Sequence, residues 1–345
     1  MSRYNLASCV WEITLACCFS CRYCGSGAGK ARDNELSTAE CLNVADQLGE
    51  LGCERVSLIG GEVFMRPDWD IIAKRLGDRG MRVNIITNGF LFKGGLTERL
   101  KDAGIESVSV SIDGTQKIHD RYRQKGSFLR ALDAVDELRS EGIPVSVIST
   151  LNSENVSTLG GLRDILAGKD IFAWQLQACS PMGNASQGEL DHRIDFREVI
   201  RFVEDNIDSV PFRLGIADNI GYFTDSEGYL RGNPSGRAYY RGCSAGISGI
   251  GIDSVGNVRG CESMYDDHFN EGNLRERSLK DIWEDEDSFS YNRKFDASLL
   301  TGRCSECEMG PYCAGGCRSY NWFSHQKIYE SPACARIFST DKEKI

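Results

Sequence analysis

Cys17, Cys21 and Cys24 fall within eight residues of one loop, in the run Thr14-Leu-Ala-Cys-Cys-Phe-Ser-Cys-Arg-Tyr-Cys-Gly25. Three thiolates at C-x3-C-x2-C spacing suit one cubic iron–sulfur cluster, whose fourth iron is then free to bind a small molecule. A zinc site would want a fourth Cys or His nearby, and the nearest histidine, His119, is far along the chain. On spacing alone a zinc half-site or a redox pair stays open. So does the alternative run of Cys18, Cys21 and Cys24.

A second cysteine field lies near the C-terminus. Cys243, Gly256 and Cys261 fit C-x12-G-x4-C, Cys304, Cys307, Cys313 and Cys317 fit C-x2-C-x5-C-x3-C, and Cys334 follows. Seven thiolates are one short of filling two four-cysteine sites, whether the metal is iron in clusters or zinc bracing a small domain. Short alternating segments, Ile250 to Asp253 and Val255 to Arg259, predict a hairpin carrying the first pair. Cys9, Cys41 and Cys53 fit no ligand spacing and read as core residues, as does Cys18 if Cys17 is the ligand.

The elements that must position these groups alternate regularly. Ser8 to Thr14 reads as a strand delivering the first cysteine loop. Ser37 and Glu40 have capping-box spacing ahead of a helix to about Leu51. Strands then read over Arg55 to Ile59, Arg82 to Thr87, Glu106 to Ile112, Ile143 to Thr150 and Ile171 to Ala178. Helices between them run over Asp68 to Arg79, Leu96 to Ala103, Gly126 to Ser140 and Asn155 to Ala167. Six β/α units imply a parallel sheet covered by helices, with ligands at the carboxyl ends of the strands. They are too few for a full eight-fold barrel. A helix over Ile194 to Asn206 follows, then Pro211 to Arg241, rich in glycine and tyrosine, reads either as a substrate-facing lid or as a surface excursion.

Composition narrows the function classes. The chain has 345 residues, 41% of them hydrophobic, enough for a large core. Its net charge of -10 argues against a nucleic-acid surface. No run is long enough to span a membrane and the polar start lacks the apolar core of a signal peptide, so a cytoplasmic protein is expected. Fifteen cysteines in reducing surroundings point to metal rather than disulfides.

The first loop, with Tyr23 before its last cysteine, resembles the signature of the radical S-adenosylmethionine (SAM) superfamily. Gly60-Gly61-Glu62, at the end of the second strand, resembles the motif that receives the SAM amino group; without that context it would be an ordinary turn. In this family the open iron chelates SAM, and electron transfer cleaves it to methionine and a 5'-deoxyadenosyl radical that removes a hydrogen atom from substrate. The alternating elements resemble the family's partial (β/α)6 TIM-like barrel. By the resemblance, Ser111 and Asp113 contact the SAM ribose or hold its loop, and Arg123 meets its carboxylate; a turn aspartate and a surface cation are the plainer readings. Cys179 to Ala185 resembles a loop common in these enzymes, and His119 reads as a satisfied or exposed histidine.

The second field is similar to the SPASM domain, a cysteine-rich iron–sulfur extension on many such enzymes. Cys-x-Ala-Gly at Cys243, Gly272-Asn273-Leu274 and Ser278-Leu279-x-x-Ile282-Trp283 share the resemblance. It implies a barrel over 1–210, a linker or substrate-facing segment over 211–241, and a SPASM domain over 242–345. It also implies three 4Fe-4S clusters: Cys17, Cys21 and Cys24 hold the SAM-binding one, and Cys304, Cys307, Cys313 and Cys334 an outer auxiliary one. Cys243, Cys261 and Cys317 supply three ligands to an inner auxiliary cluster. Position 237, near which some relatives place a fourth cysteine, is Arg, leaving an open iron, a non-cysteine ligand or Cys179 folded back. Glu262 is the candidate base, or else a turn carboxylate.

Members of this family mostly oxidise or crosslink side chains of ribosomally made peptides. A radical SAM dehydrogenase or tetrapyrrole-pathway enzyme acting on a small molecule shares the motifs, and a non-enzymatic metal scaffold is a third reading. Implied partners are an electron donor such as flavodoxin or ferredoxin and, for a leader-bearing peptide, since the first strand begins near residue ten, either a separate leader-peptide recognition protein or direct docking.

Overall fold

The computed structural model describes residues 4–187, 193–224, 226–231 and 240–336. Along the chain run β1 (Ser8–Glu12), α1 (Thr38–Glu50), β2 (Arg55–Ile59), α2 (Trp69–Asp78), β3 (Arg82–Thr87), α3 (Leu96–Asp102) and β4 (Ser107–Ser111). They are followed by α4 (Gln116–Tyr122), α5 (Ser127–Ser140), β5 (Val145–Leu151), α6 (Leu159–Leu166), β6 (Ala173–Ala178), α7 (Asn184–Gln187) and α8 (Phe196–Asn206). Then come β7 (Arg213–Ile216), α9 (Glu227–Leu230), β8 (Gly249–Ile252), β9 (Asn257–Arg259) and β10 (Gly272–Asn273), with short helices after them.

Local chemistry accounts for these elements. Ser37 caps α1, and Glu40 reaches back to the Ser37 N–H at 2.8 Å, completing the expected box. In β3, Val83, Ile85 and Thr87 are buried in alternation, and in α8 Phe196, Val199, Ile200 and Val203 make one apolar stripe. Cys9, Cys41 and Cys53 are buried in the core, as expected.

Strands β1 to β7 pair in chain order and in parallel, forming the open α/β barrel. The six expected strands form in parallel as expected for a partial barrel, and β7 adds a seventh within the 211–241 stretch that was expected to be irregular. Leu214 and Ile216 are buried while Arg213 is exposed, but four residues beside Pro211 are too short to declare a period. The hairpin β8–β9 forms as expected, antiparallel, with β10 beside it. β8 pairs in parallel with β1, so the C-terminal region extends the barrel sheet on the other side of the strand that leads into the first cysteine loop. Arg275 adds a second tie, its guanidinium donating to the Glu40 carboxylate at 2.6 Å and to Asn34 O at 3.0 Å. Among the described residues no helix is long and apolar enough to cross a membrane.

Candidate active site and iron–sulfur cysteines

The loop after β1 is shaped by its own backbone. Cys17 N–H donates to Gly29 O (2.9 Å) and Gly29 N–H to Leu15 O (3.1 Å), closing the loop, while Glu35 accepts from Leu15 N–H (2.7 Å) and the Thr14 hydroxyl (2.9 Å). The end of β2 is pressed against it: Gly61 N–H donates to Thr14 O (2.8 Å) and Glu62 N–H to Ala16 O (2.7 Å). A methyl group at Gly60 would stand 2.5 Å from Thr14 O, and one at Gly61 would overlap Ala16 O. Both positions therefore demand glycine for close approach.

A cavity of about 570 Å³ opens at these strand ends. Cys17, Cys21 and Cys24 line it, and so do Tyr23, Gly60, Gly61, Ser111, Arg123, Glu262 and Cys179. Two expected SAM contacts are not on its wall. Glu62 is buried behind it and accepts from the Thr87 hydroxyl (2.7 Å) and Asn88 N–H (2.8 Å), so its carboxylate fixes the turn after β3. Burial pushes the Glu62 carboxyl up to about 7 against the pull of these donors.

Asp113 is likewise fully buried. It accepts from the Tyr23 hydroxyl, Arg123 Nε and Thr150 N–H (2.9 Å), tying the cysteine loop, α4 and β5 together. Burial pushes its carboxyl up, but the Arg123 charge and hydrogen bonds more than reverse this and leave it below the usual range. Asp113 thus positions Arg123 and Tyr23 from behind. His119 is buried, with Nδ1 accepting from Asp113 N–H at 3.2 Å; burial pulls its pKa down to about 4, so it is neutral.

Asn184 was not singled out by the sequence. Its Nδ2 donates to Cys21 O and its backbone N–H to Cys24 O, both at 2.9 Å, clamping the far half of the cysteine loop. Gly183 just before it, whose added methyl would overlap Cys24 O and Gly25 O at φ +56°, was the available signal.

The cysteine donors fit a cluster. Phe19 N–H donates to Cys17 Sγ (3.4 Å) and Ala28 N–H to Cys24 Sγ (3.3 Å), bonds that stabilise thiolates. Cys18 differs from expectation: it is half-buried, and its Sγ receives Asn88 Nδ2 at 3.5 Å and lies beside Cys17. Cys243 and Cys261 both crowd Cys317 electrostatically, and Cys304, Cys334 and Cys307 crowd Cys313, so the C-terminal cysteines gather into a trio and a quartet. Among the described residues no three cysteine, histidine or carboxylate groups close on one bare ion. The thiolates of a cubane bind separate irons and stand further apart. Cys179 packs with Tyr23, Tyr122 and Ala185 on the side of the first loop, and Arg237 lies outside the described residues.

Glu262 is 3% exposed, and among the described residues neither carboxylate oxygen has a hydrogen-bond partner. The one proton of the neighbouring Tyr265 hydroxyl goes to Glu12. Burial and the Glu12 charge push the Glu262 carboxyl well above the usual range, so it stands in the cavity wall as a neutral acid.

The model of the radical SAM superfamily matches residues 11–165, and that of the SPASM iron–sulfur cluster-binding domain matches residues 243–308. An AdoMet-dependent heme synthase of Methanosarcina barkeri is 28% identical over 343 residues, covering 94% of this chain and 95% of its own. The mycofactocin maturase MftC of Mycobacterium tuberculosis is 28% identical over 320 residues, covering 91% and 78%. Among solved structures, Streptococcus suis SuiB bound to S-adenosylmethionine superposes with a TM-score of 0.77 at 18% identity, covering 96% of this chain and 77% of SuiB, a likeness of fold. The chain carries a radical SAM domain over residues 11–165 and a C-terminal SPASM domain over residues 243–308, and these domains support a radical SAM enzyme and imply 4Fe-4S clusters and SAM.

Proposed function

We propose that this enzyme is a cytoplasmic peptide maturase that oxidises or crosslinks a side chain of a ribosomally made peptide, using three 4Fe-4S clusters. The observation that carries the reading is the charge of the cavity wall. Ser57, Asn84, Ser109, Gln175, Gln177 and Asn219 make it polar but uncharged, and Arg123, already paired with Asp113, is the one cation among the described lining residues. Peptide amides and hydroxyls suit such a wall, whereas a polycarboxylate tetrapyrrole wants several free cations. MftC is named as a maturase.

When bound, SAM and its cluster supply reductive cleavage and hydrogen-atom removal. Cys17, Cys21 and Cys24 would hold that cluster, and the bare backbone at Gly60 and Gly61 would leave room for the SAM amino acid. Arg123 would meet its carboxylate, oriented by Asp113, and Ser111 lies at the strand end where a ribose hydroxyl would need a partner. Tyr23 braces the loop from the cavity side. Glu262, protonated by burial, becomes a base at its Oε atoms once a positively charged or donor group of the substrate faces it. The catalytic barrel would run through β7 to residue 216 and the auxiliary-cluster domain over 242–345, reduced by flavodoxin or ferredoxin and presented with substrate by a separate leader-recognition protein.

One observation favours a small-molecule reading: the Methanosarcina barkeri heme synthase and this chain cover each other almost end to end. The test begins with anaerobically loaded protein, for which about twelve irons per chain are expected from three four-iron clusters. 5'-Deoxyadenosine should form from SAM and a strong reductant, and Cys17→Ala/Cys21→Ala/Cys24→Ala should abolish it. Deuterium transfer into 5'-deoxyadenosine from labelled peptides, against labelled tetrapyrroles, then decides the substrate. Transfer from a tetrapyrrole alone would refute the maturase.

A further inference from the structure

Tyr240 is a buried phenol, 4% exposed, held on three sides. Its backbone N–H donates to Glu227 Oε1 at 2.9 Å, the Arg231 guanidinium lies over its ring at 5.1 Å, and the Tyr222 ring packs against it with centroids 4.7 Å apart. Arg231 is itself fixed, donating to the same Glu227 oxygen at 3.0 Å and to Ile220 O at 3.3 Å. Yet among the described residues the Tyr240 hydroxyl has no hydrogen-bond partner. A buried hydroxyl left unpaired costs about 1–3 kcal/mol, so a side chain this firmly placed calls for a partner that the surrounding protein atoms do not provide.

Its surroundings say what that partner is. Tyr240 packs in one cluster with Tyr222, Cys313 and Cys334, against which Cys317 lies, and Cys243 and Cys317, two of the inner trio, are among the groups that crowd its phenol electrostatically. The trio supplies three thiolates to a cluster with four irons, and phenolate oxygen is an established ligand of protein-bound iron. Of the neighbouring groups, the Tyr222 hydroxyl accepts from Cys317 N–H at 2.9 Å, Cys179 packs beside Tyr23, and Glu262 faces the SAM cavity. The Tyr291 hydroxyl, near Cys243 and Cys261, is likewise without a hydrogen-bond partner among the described residues and is the rival that the test must separate.

We propose that the phenolate oxygen of Tyr240 ligates the fourth iron of the inner auxiliary cluster, closing it to substrate and leaving it to carry electrons. This rests on the reading of Cys243, Cys261 and Cys317 as ligands of one cluster. On ligation the Tyr240 O–H bond breaks, its proton leaves to solvent and an iron–oxygen bond forms; no electron moves.

The test uses full-length protein bearing Cys17→Ala/Cys21→Ala/Cys24→Ala, which removes the SAM-binding cluster and its open iron. About eight irons per chain should remain in two clusters. After reduction with dithionite, isotopically labelled cyanide is added and its hyperfine coupling to the clusters is read by electron-nuclear double resonance. With Tyr240 in place no coupling is expected; with Tyr240→Phe the inner cluster should take up cyanide, and Tyr222→Phe should stay silent. Resonance Raman scattering of the oxidised protein should show tyrosinate modes that Tyr240→Phe loses, a readout on unmutated Tyr240 that holds even if the variant loads poorly. Cyanide coupling with Tyr240 intact would overturn the proposal, as would absence of tyrosinate modes, or uptake in Tyr291→Phe or Glu262→Gln but not in Tyr240→Phe. About four irons with a single cluster signal would instead sink the cluster assignment beneath it.

Discussion

Replacing Asp113 by asparagine tests whether one buried carboxylate holds the SAM end of the site together. Asp113 is wholly buried and the Arg123 side chain only 10% exposed, and the carboxylate also accepts from Tyr23 and from Thr150 N–H. The amide introduced by Asp113→Asn would keep one acceptor but turn its NH₂ toward donors, leaving the Arg123 charge without a counter-charge. Removing one partner of such a pair costs about 3–5 kcal/mol, and at about 1.4 kcal/mol per decade this is two to three and a half orders of magnitude in a local opening equilibrium. The assay is hydrogen exchange of the Thr150 amide in loaded protein, read by mass spectrometry of the peptide that contains it. Exchange there should quicken by about a hundredfold or more, while the buried amides of α1 keep their protection. Because the folded carboxyl lies below its ordinary range, this stabilisation is present above the unfolded pKa and disappears as pH falls through the folded one. Wild type and variant should therefore converge only in acid. A Thr150 rate changed less than about threefold at neutral pH, well under one decade, would show that the pair is not the clamp described.

Gly61→Ala drives a methyl into Ala16 O and should cost about 1–3 kcal/mol of local strain, abolishing 5'-deoxyadenosine formation, whereas Gly94→Ala, with nothing within 4 Å, should leave it intact. Asn184→Ala removes the bond to Cys21 O, worth about 1 kcal/mol; a chelator should then strip the SAM-binding cluster several-fold faster, with the C-terminal iron unaffected. Since the Glu62 carboxyl is raised from 4.5 to about 7, the native state binds more protons than the unfolded chain between those values, and this group makes stability fall as pH rises across that window. The fall amounts to about 3 kcal/mol, and Glu62→Gln should flatten it, as read from denaturant midpoints at several pH values.

The cysteines were legible because metal chemistry constrains spacing, and the strand and helix alternation because each period runs over several turns or residues. Four-residue β7, beside Pro211, carries too few positions to show one. Glu62 and Asp113 show a different limit. Their placement at strand ends was evident, but whether a carboxylate faces the cavity or the turn behind it depends on donors from Thr87, Asn88, Tyr23 and Thr150, contributed by other strands and loops. Asn184 was hidden for the same reason, since its partner Cys21 lies 163 positions away in sequence and its partner Cys24 is in the same distant loop. The hairpin carrying Cys261 could be read locally, but its parallel seat on β1 could not, because alternation does not name a strand's neighbour.

That seat has a consequence for chimeras. Ser8 pairs with Gly249 and Trp11 with Ile252, so the two cysteine fields share one ruler, ticked at about 3.3 Å per residue. A C-terminal half transplanted from another family member keeps the gap between the clusters only if it reproduces this alignment. A slip of one residue would turn the β8 side chains to the opposite face, and a slip of two would restore the faces but displace Cys261 by about 7 Å along the sheet. Electron tunnelling weakens steeply with distance, so such a hybrid could fold, load all its iron and still be a broken wire.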